Sequence, residues 1–290
     1  MGFFGRSDGK PVRSLSPLQR IFPYVMRGRN QSAVYFSMQV DIDNVLSYLE
    51  RVNTRLGSRR VRLFHVFVCA AVRMLALRPQ LNRFVIGRTI YQRDKIQVSF
   101  IVKKELTEEA AETNVKITFE PSDTLMTVAE KVDEHIANAR SRRKSADERT
   151  NDLVTRLPSF MIRFVTWAFR VLDYFGLAPR SMIEEDPLYT SMYLANLGSI
   201  GLDAPFHHLY EWGTASIFVA IGEIHKVPLV SETGKIEVRN VVNLNVTLDE
   251  RIADGIYYAR SIELLKSLVM SPELLEEPPA PSSQKGQGLG

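Results

Sequence analysis

Residues 243–268 read NLNVTLDERIADGIYYARSIELLKSL and place a strand, a turn and a helix in direct succession. Apolar residues alternate with polar ones up to Leu248, which is typical of a β-strand with one buried face. From Asp254 to Leu268 the apolar residues recur at helical spacing instead. The polar turn 249–255 therefore lies at the end of a strand and immediately before the final helix.

The rest of the chain mixes strands and helices without a regular strand–helix alternation. Helical spacing predicts a helix over 42–56 between a capping Asp41 and a terminating Gly57, a buried helix over 62–77 and a helix over 123–143. The predicted strands cover residues 35–40, 84–90, 96–102, 116–119, 190–194, 217–221, 236–242 and 243–248. This order predicts an α+β two-layer sandwich, in which a mixed β-sheet carries helices on one face.

The composition is that of a folded protein. The chain has 290 residues, of which 45% are hydrophobic and 24% charged, enough to bury a full core. We expect residues 1–15 to form a flexible N-terminal arm and residues 16–272 to form one domain, with a helical insertion at 141–185. Residues 273–290 are rich in Pro, Gly and Ser, and we expect a disordered tail there.

Composition also excludes several classes of protein. The single cysteine, Cys69, excludes a disulfide framework and a cysteine-based metal centre. A net charge of +4 is too small for a dedicated nucleic-acid binder. No apolar run suits a signal peptide or a transmembrane helix, so we expect a cytoplasmic protein.

Basic residues are nevertheless concentrated near the start of the chain. Residues 1–70 carry eleven Lys or Arg against four Asp or Glu. Such an excess indicates either a solvated surface or a patch for an anionic ligand, such as a phosphate-bearing cofactor.

The stretch Phe160–Phe175 predicts an unusually apolar helix. Its polar residues occupy one narrow stripe, and they are Arg163, Thr166, Arg170 and Asp173. The wide apolar face that remains must be covered by something. We consider packing on the body of the protein or on a neighbouring subunit, binding of a partner protein and, as the least favoured possibility, contact with a membrane surface.

Three short motifs carry a resemblance to a known family. They are PQLN at 79–82, LANLG at 194–198 and DERIADG at 249–255, whereas the glycine-rich motifs of nucleotide-binding folds are absent. In this order and spacing the motifs resemble the catalytic domain of the 2-oxoacid dehydrogenase acyltransferases (the E2 components), which shares the chloramphenicol acetyltransferase-like fold. The resemblance covers roughly residues 15–272.

The resemblance implies an assembly and a substrate. It implies a homotrimer or a higher homo-oligomer, with the active site in a channel between subunits. Coenzyme A or an acyl-CoA would enter as substrate from one side and the acyl acceptor from the other. We place Ala195, Asn196 and Gly198 on the cofactor side of this channel. We expect no lipoyl attachment site, so that the acyl group would come from free coenzyme A or another carrier.

Two positions depart from the family pattern. The family motif D-H-R-x-x-D-G has a histidine base where this chain has Glu250, and a Ser or Thr that stabilises the oxyanion is replaced by Ala195. The frame around both positions is retained. The resemblance implies that Asp254 orients the local structure by pairing with an arginine, and Arg20 is our candidate for that arginine.

These substitutions weaken the expected chemistry. Loss of an oxyanion donor costs about 10²–10³ in rate, and loss of a general base costs about 10²–10⁴. Glu250 is either a replacement base, whose pKa burial would raise into a useful range, or a structural residue.

The histidines in PFHHLYEWG at 205–213 are a second possible source of a base. We interpret His208 as a candidate catalytic residue, against the alternative that His207 and His208 belong to an interface loop. A metal held by both histidines and Glu211 is disfavoured because adjacent side chains point apart in an extended segment, so we predict no metal site.

Two functions remain in competition. One is a stand-alone acyltransferase that uses an acyl-CoA, with Glu250, Asp254 and His208 as its candidate catalytic residues. The other is a catalytically dead scaffold or assembly protein of the same fold.

Overall fold

The computed structural model describes residues 6–57, 60–103, 112–141, 154–231 and 233–279. The α-helices in these segments are α1 (Pro17–Val25), α2 (Asp43–Leu56), α3 (Leu63–Leu77), α4 (Leu125–Ser141), α5 (Ser159–Tyr174), α6 (Arg180–Glu185) and α7 (Gly255–Met270). The strands are β1 (Gly9–Pro11), β2 (Ala33–Asp41), β3 (Arg83–Ile86), β4 (Thr89–Arg93), β5 (Ile96–Lys103), β6 (Glu112–Phe119), β7 (Met192–Asn196), β8 (Ile217–Val230) and β9 (Ile236–Asp249).

Six strands form the main sheet, in the order β2-β9-β8-β7-β5-β6. Strands β5, β7 and β8 run parallel to one another, whereas β2 with β9, β8 with β9 and β5 with β6 pair antiparallel. The predicted mixed sheet is therefore confirmed, and the long β8–β9 hairpin lies between β2 and β7.

Helices α2, α3, α4 and α7 lie on one face of this sheet, as predicted. Val242, Leu244, Val246 and Leu248 of β9 point into the main core, which they share with residues of α2, α3 and α7. α3 is buried along most of its length, as its almost wholly apolar sequence requires. The other face carries a smaller cluster, formed by Tyr193, Leu209, Phe218 and Ala220.

The predicted strand 84–90 is wrong, because the chain turns within it. β3 and β4 form an antiparallel hairpin around Gly87 and Arg88, whose φ angles are 56° and 63°. These left-handed conformations belong to a tight two-residue turn, which glycine adopts without strain. The predicted division between 236–242 and 243–248 is also wrong, because β9 is continuous.

The first described residues differ from the expected flexible arm. β1 pairs with β4 through Gly9, Lys10 and Pro11. The buried guanidinium of Arg6 forms ion pairs with Asp8 at 2.8 Å and with Asp173 of α5 at 2.5 Å. Backbone pairing and a buried ion-pair cluster therefore attach this segment to the small sheet β1-β4-β3. Residues 1–5 lie outside the described residues.

The predicted tail and insertion are only partly described. Pro272–Leu275 forms a single 3-10 turn with Leu275 buried, so the tail starts later than residue 273. Residues 280–290, and residues 142–153 of the predicted insertion, lie outside the described residues. In the described segments no helix combines the length and the apolar character needed to cross a bilayer.

Much of the apolar face of α5 is exposed rather than packed on the body of the protein. It buries Phe169 and Asp173 against the body, and Phe160, Phe164 and Trp167 are 71%, 64% and 61% exposed. Asp173 is drawn inward because it accepts hydrogen bonds from Arg6 and from the Tyr189 hydroxyl. The predicted packing of the apolar face on the protein's own body is therefore not observed within the described residues.

Candidate functional site

The turn after β9 is held by a buried ion pair. Asp249 and Arg251 are 0% and 3% exposed, and Arg251 Nε and Nη2 lie 2.8 and 2.7 Å from the two carboxylate oxygens of Asp249. The Tyr258 hydroxyl of α7 donates to the Asp249 carbonyl at 2.5 Å. This two-point geometry fixes both side chains, because the planar guanidinium matches the carboxylate.

The same arginine connects the turn to the segment after α1. Arg251 Nη1 donates to the carbonyls of Met26 and Arg27, at 3.1 and 3.3 Å. The backbone N–H of Glu250 donates to the Ser32 carbonyl at 2.9 Å. Glu250 is thus a partly buried residue between two residues that are fixed in place.

Asp254 has a structural position in this chain. It is exposed, and its Oδ1 accepts a hydrogen bond from the Tyr257 backbone N–H at 2.8 Å, which caps the start of α7. The proposed pairing with Arg20 is wrong for the described residues. The Arg20 guanidinium donates to the Arg13 carbonyl instead, and the arginine that holds this turn is Arg251.

The second motif ends β7 at a close contact between strands. Ala195 pairs with Ala220 of β8, and Asn196 precedes the 3-10 turn Leu197–Ile200. A Cβ atom at Gly198 would collide with the Gly222 carbonyl. The glycine of the LANLG motif is therefore required by packing, whatever it contributes to a cofactor.

One chain does not bring the two motifs together. β8 separates β7 from β9, which places about 10 Å between them across the sheet. The register aligns Ala195 with Ala220 and Asn245, so Glu250 lies about 17 Å further along β9. A site that used both Ala195 and Glu250 would need one residue from each of two protomers.

The two histidines contact each other through their rings. The His207 ring stacks on Phe218 with centroids 3.9 Å apart and on His208 at 4.7 Å. Burial lowers the pKa of the His207 imidazole, which favours its neutral form. His208 is exposed, and its Nδ1 lies 2.9 Å from the Leu209 carbonyl.

Glu211 is engaged elsewhere. Burial opposes its ionisation, but hydrogen bonds from the backbone N–H groups of Asn30 and Arg29 lower the pKa of its carboxyl. Across the described segments no group of three or more His, Cys, Asp and Glu residues is arranged to hold a metal.

A cavity of about 330 Å³ beside the turn was not predicted as a site. Four of its lining residues are arginines, and they are Arg27, Arg29, Arg88 and Arg251. The available signal was the excess of basic residues in 1–70. It could not locate the cavity, because Arg88 and Arg251 lie far away in sequence.

The layers and strand order define a class of protein, the chloramphenicol acetyltransferase-like α+β sandwiches. A solved chloramphenicol acetyltransferase superimposes with a TM-score of 0.52 at 9% identity, covering 90% of this chain and 99% of that one. A probable dihydrolipoamide acetyltransferase from Listeria monocytogenes gives 0.60 at 17% identity, with coverages of 94% and 98%. The cubic core of a pyruvate dehydrogenase multienzyme complex gives 0.61 at 14%, with coverages of 92% and 93%.

Sequence comparison relates part of the chain to one family. Residues 182–276 match the family model described as 2-oxoacid dehydrogenases acyltransferase (catalytic domain). The lipoamide acyltransferase component of the Bacillus subtilis branched-chain α-keto acid dehydrogenase complex is 24% identical over 241 residues, which are 81% of this chain and 46% of that protein. The mitochondrial Arabidopsis thaliana counterpart is 33% identical over 93 residues, which are 31% of this chain and 18% of that protein.

The chain is similar to the catalytic domain of the 2-oxoacid dehydrogenase acyltransferases over residues 182–276, which are about a third of its length. It spans less than half the length of either of these curated relatives.

Proposed function

We propose that this chain acts as a homo-oligomer, in threefold arrangement, and transfers an acyl group from an acyl-CoA at a site formed between protomers. The separation of Ala195 and Glu250 within one chain carries the proposal. Both family motifs keep their backbone frame, yet only a neighbouring copy could bring them within reach of one substrate.

Glu250 is the proposed base of this site. Its carboxylate would take the proton from the thiol or hydroxyl of the acceptor as that atom attacks the acyl carbonyl. The thioester C–S bond would then break, and the same proton would pass to the coenzyme A sulfur, which leaves as the free thiol. The Asp249–Arg251 ion pair keeps the turn in place for this step. His208, which is exposed on the loop after β7, is the alternative base. Ala195, Asn196 and Gly198 would border the coenzyme A side.

Turnover of acetyl-CoA tests the proposal. The protein is incubated with acetyl-CoA and a panel of thiol, amine and hydroxyl acceptors, and release of free coenzyme A is followed. We expect Glu250→Gln to slow release by about 10² or more. Glu263→Gln, which changes an exposed glutamate of α7, is the matched control. No turnover and no binding of coenzyme A by calorimetry would exclude an acyl-CoA enzyme.

A catalytically inactive scaffold is the second candidate, and Ala195 favours it. A methyl group cannot donate a hydrogen bond to an oxyanion, and such a donor contributes about 10²–10³ in rate. The double variant Ala195→Ser with Glu250→His tests this candidate. If the natural chain is inactive and the double variant transfers acetyl groups, the fold has kept a substrate channel but lacks a working base and oxyanion donor. Measurable acyl transfer by the natural chain, equal to that of the double variant, would contradict the scaffold function.

A further inference from the structure

The arginine-lined cavity is formed by four separate parts of the chain. It lies between the end of α1, the β3–β4 turn, Tyr174 at the end of α5 and the turn after β9. Its volume of about 330 Å³ is sufficient for a small molecule. Neither Ala195 nor Glu250 lines it, so a ligand in this cavity does not depend on whether the chain transfers acyl groups.

The inner wall of the cavity is rigid. Arg29 is 4% exposed. It donates through Nη1 to the Tyr210 carbonyl at 2.9 Å and through Nη2 to the Gly213 carbonyl, whereas its buried Nε has no hydrogen-bond partner among the described residues. Arg251 is fixed by Asp249. The charges of these two arginines are largely balanced by Asp249 and by Glu211, the carboxylate in the cavity lining.

Two uncompensated charges remain at the mouth. Arg27 and Arg88 are exposed, and neither guanidinium forms an ion pair with a carboxylate in the part of the chain that the structure describes. The Arg88 guanidinium lies over the Tyr24 ring, 5.4 Å from its centroid, which holds the side chain beside α1.

Arg88 also occupies a backbone position that is unfavourable for arginine. Its φ of 63° follows the 56° of Gly87, and the second position of such a turn favours glycine or asparagine. A strained residue is retained when the surroundings require it, and such residues cluster at ligand sites.

We propose that this cavity binds a small phosphate-bearing anion, with the phosphate held at the mouth between Arg27 and Arg88. Guanidinium groups match phosphate oxygens with paired N–H donors, and the match is stronger where water is partly excluded. The balanced inner arginines add directed donors without adding net charge. The ligand class is therefore a phosphate monoester or a diphosphate.

Calorimetric titration with inorganic pyrophosphate tests the site. We expect saturable binding that weakens as salt rises. Arg88→Asn and Arg27→Gln should each raise Kd about tenfold, since each removes one charge-assisted contact. Arg163→Gln is the matched control, because it removes an exposed arginine about three turns before Tyr174 on α5.

The thermal midpoint of the unliganded protein separates a ligand role from a structural one. Asparagine fits the left-handed position of residue 88 better than arginine does. Arg88→Asn should therefore keep or raise the unfolding midpoint while it weakens pyrophosphate binding. If coenzyme A competes with pyrophosphate, the cavity binds a phosphate group of coenzyme A. If coenzyme A does not compete, the cavity binds another phosphate-bearing ligand. No binding of pyrophosphate at millimolar concentration, or an equal loss in Arg163→Gln, would overturn the site independently of any acyl transfer.

Discussion

Arg251 is the residue on which the turn after β9 depends. It forms the buried ion pair with Asp249 and also binds two carbonyls of the segment after α1. Burying a charge costs desolvation free energy, which the attraction of an opposite charge offsets. Removing one partner therefore leaves the other charge buried without this compensation.

We therefore expect Asp249→Asn to destabilise the protein by about 3 kcal/mol, since it leaves the buried Arg251 charge without its carboxylate. The free energy of unfolding measured in urea checks this. The exposed variant Glu263→Gln should change it by less than about 0.5 kcal/mol. A loss at Asp249 as small as that of the control would mean that the turn is held by its backbone alone.

His65 predicts a pH dependence of stability. It is 1% exposed, its Nδ1 accepts from the Arg62 N–H at 3.2 Å, and its Nε2 lies 3.3 Å from the Asp133 carboxylate. Burial lowers the pKa of His65 despite Asp133. Protonation therefore favours the unfolded chain. The contribution is fully present above about pH 6.5 and is lost as the pH falls through the lower pKa of the folded state.

Unfolding free energies between pH 7.5 and 5 check this dependence. The natural protein should lose stability more steeply below pH 6.5 than His65→Gln does, because only the natural protein has this imidazole to protonate. His135→Gln, which changes a half-buried histidine two residues after Asp133 on α4, is the control. Parallel curves for the natural protein and His65→Gln would contradict the assignment.

At the scale of elements, α7 links the candidate site to the core. Asp254 caps its first turn, and Tyr258, Leu265 and Leu268 are buried along it. The resemblance implies an orienting role for Asp254, and in the structure its carboxylate caps the first turn of α7.

Asp254→Ala should cost about 1 kcal/mol in unfolding free energy, whereas Asp254→Asn should cost only a few tenths, because asparagine is also a good N-cap. Urea denaturation distinguishes the two. If acyl transfer is found, a pure cap predicts that Asp254→Asn retains activity. Loss of activity at unchanged stability would instead make the carboxylate part of the reaction.

At the scale of the whole molecule, the exposed side of α5 is a candidate contact surface between copies. Phe160, Phe164 and Trp167 present an apolar surface that the described part of the protein's own body leaves uncovered. A neighbouring subunit, a partner protein or a membrane surface could cover it, and the proposed homo-oligomer favours a neighbouring subunit.

Sedimentation analysis should therefore find a trimer or a larger assembly. Phe164→Glu with Trp167→Glu should lower its order, because two charges replace buried apolar contacts. The same variant separates a membrane surface from a partner protein. If the variant keeps its assembly but loses the binding to anionic liposomes that the natural protein shows, α5 is a membrane-contacting helix. If the variant keeps its assembly and the natural protein does not bind liposomes, a partner protein is the remaining candidate.

Much of the fold could be predicted from the sequence, because its elements are encoded locally. The alternation before Leu248 and the helical spacing after Asp254 each act over a few residues, and β9 and α7 form where these patterns lie. The β3–β4 turn was missed although Gly87 is a turn signal, because apolar residues on both sides of it also suit one continuous strand.

The sequence by itself therefore determined most of the secondary structure and the resemblance to the acyltransferase catalytic domain. Only the tertiary structure decided that Asp249 pairs with Arg251 and that Asp173 of α5 pairs with Arg6. It also decided that Ala195 and Glu250 lie far apart in one chain and which arginines share a cavity. The physical reason is that periodicity acts between neighbours along the chain, whereas ion pairs and cavities join segments whose separation is set by sheet register and packing.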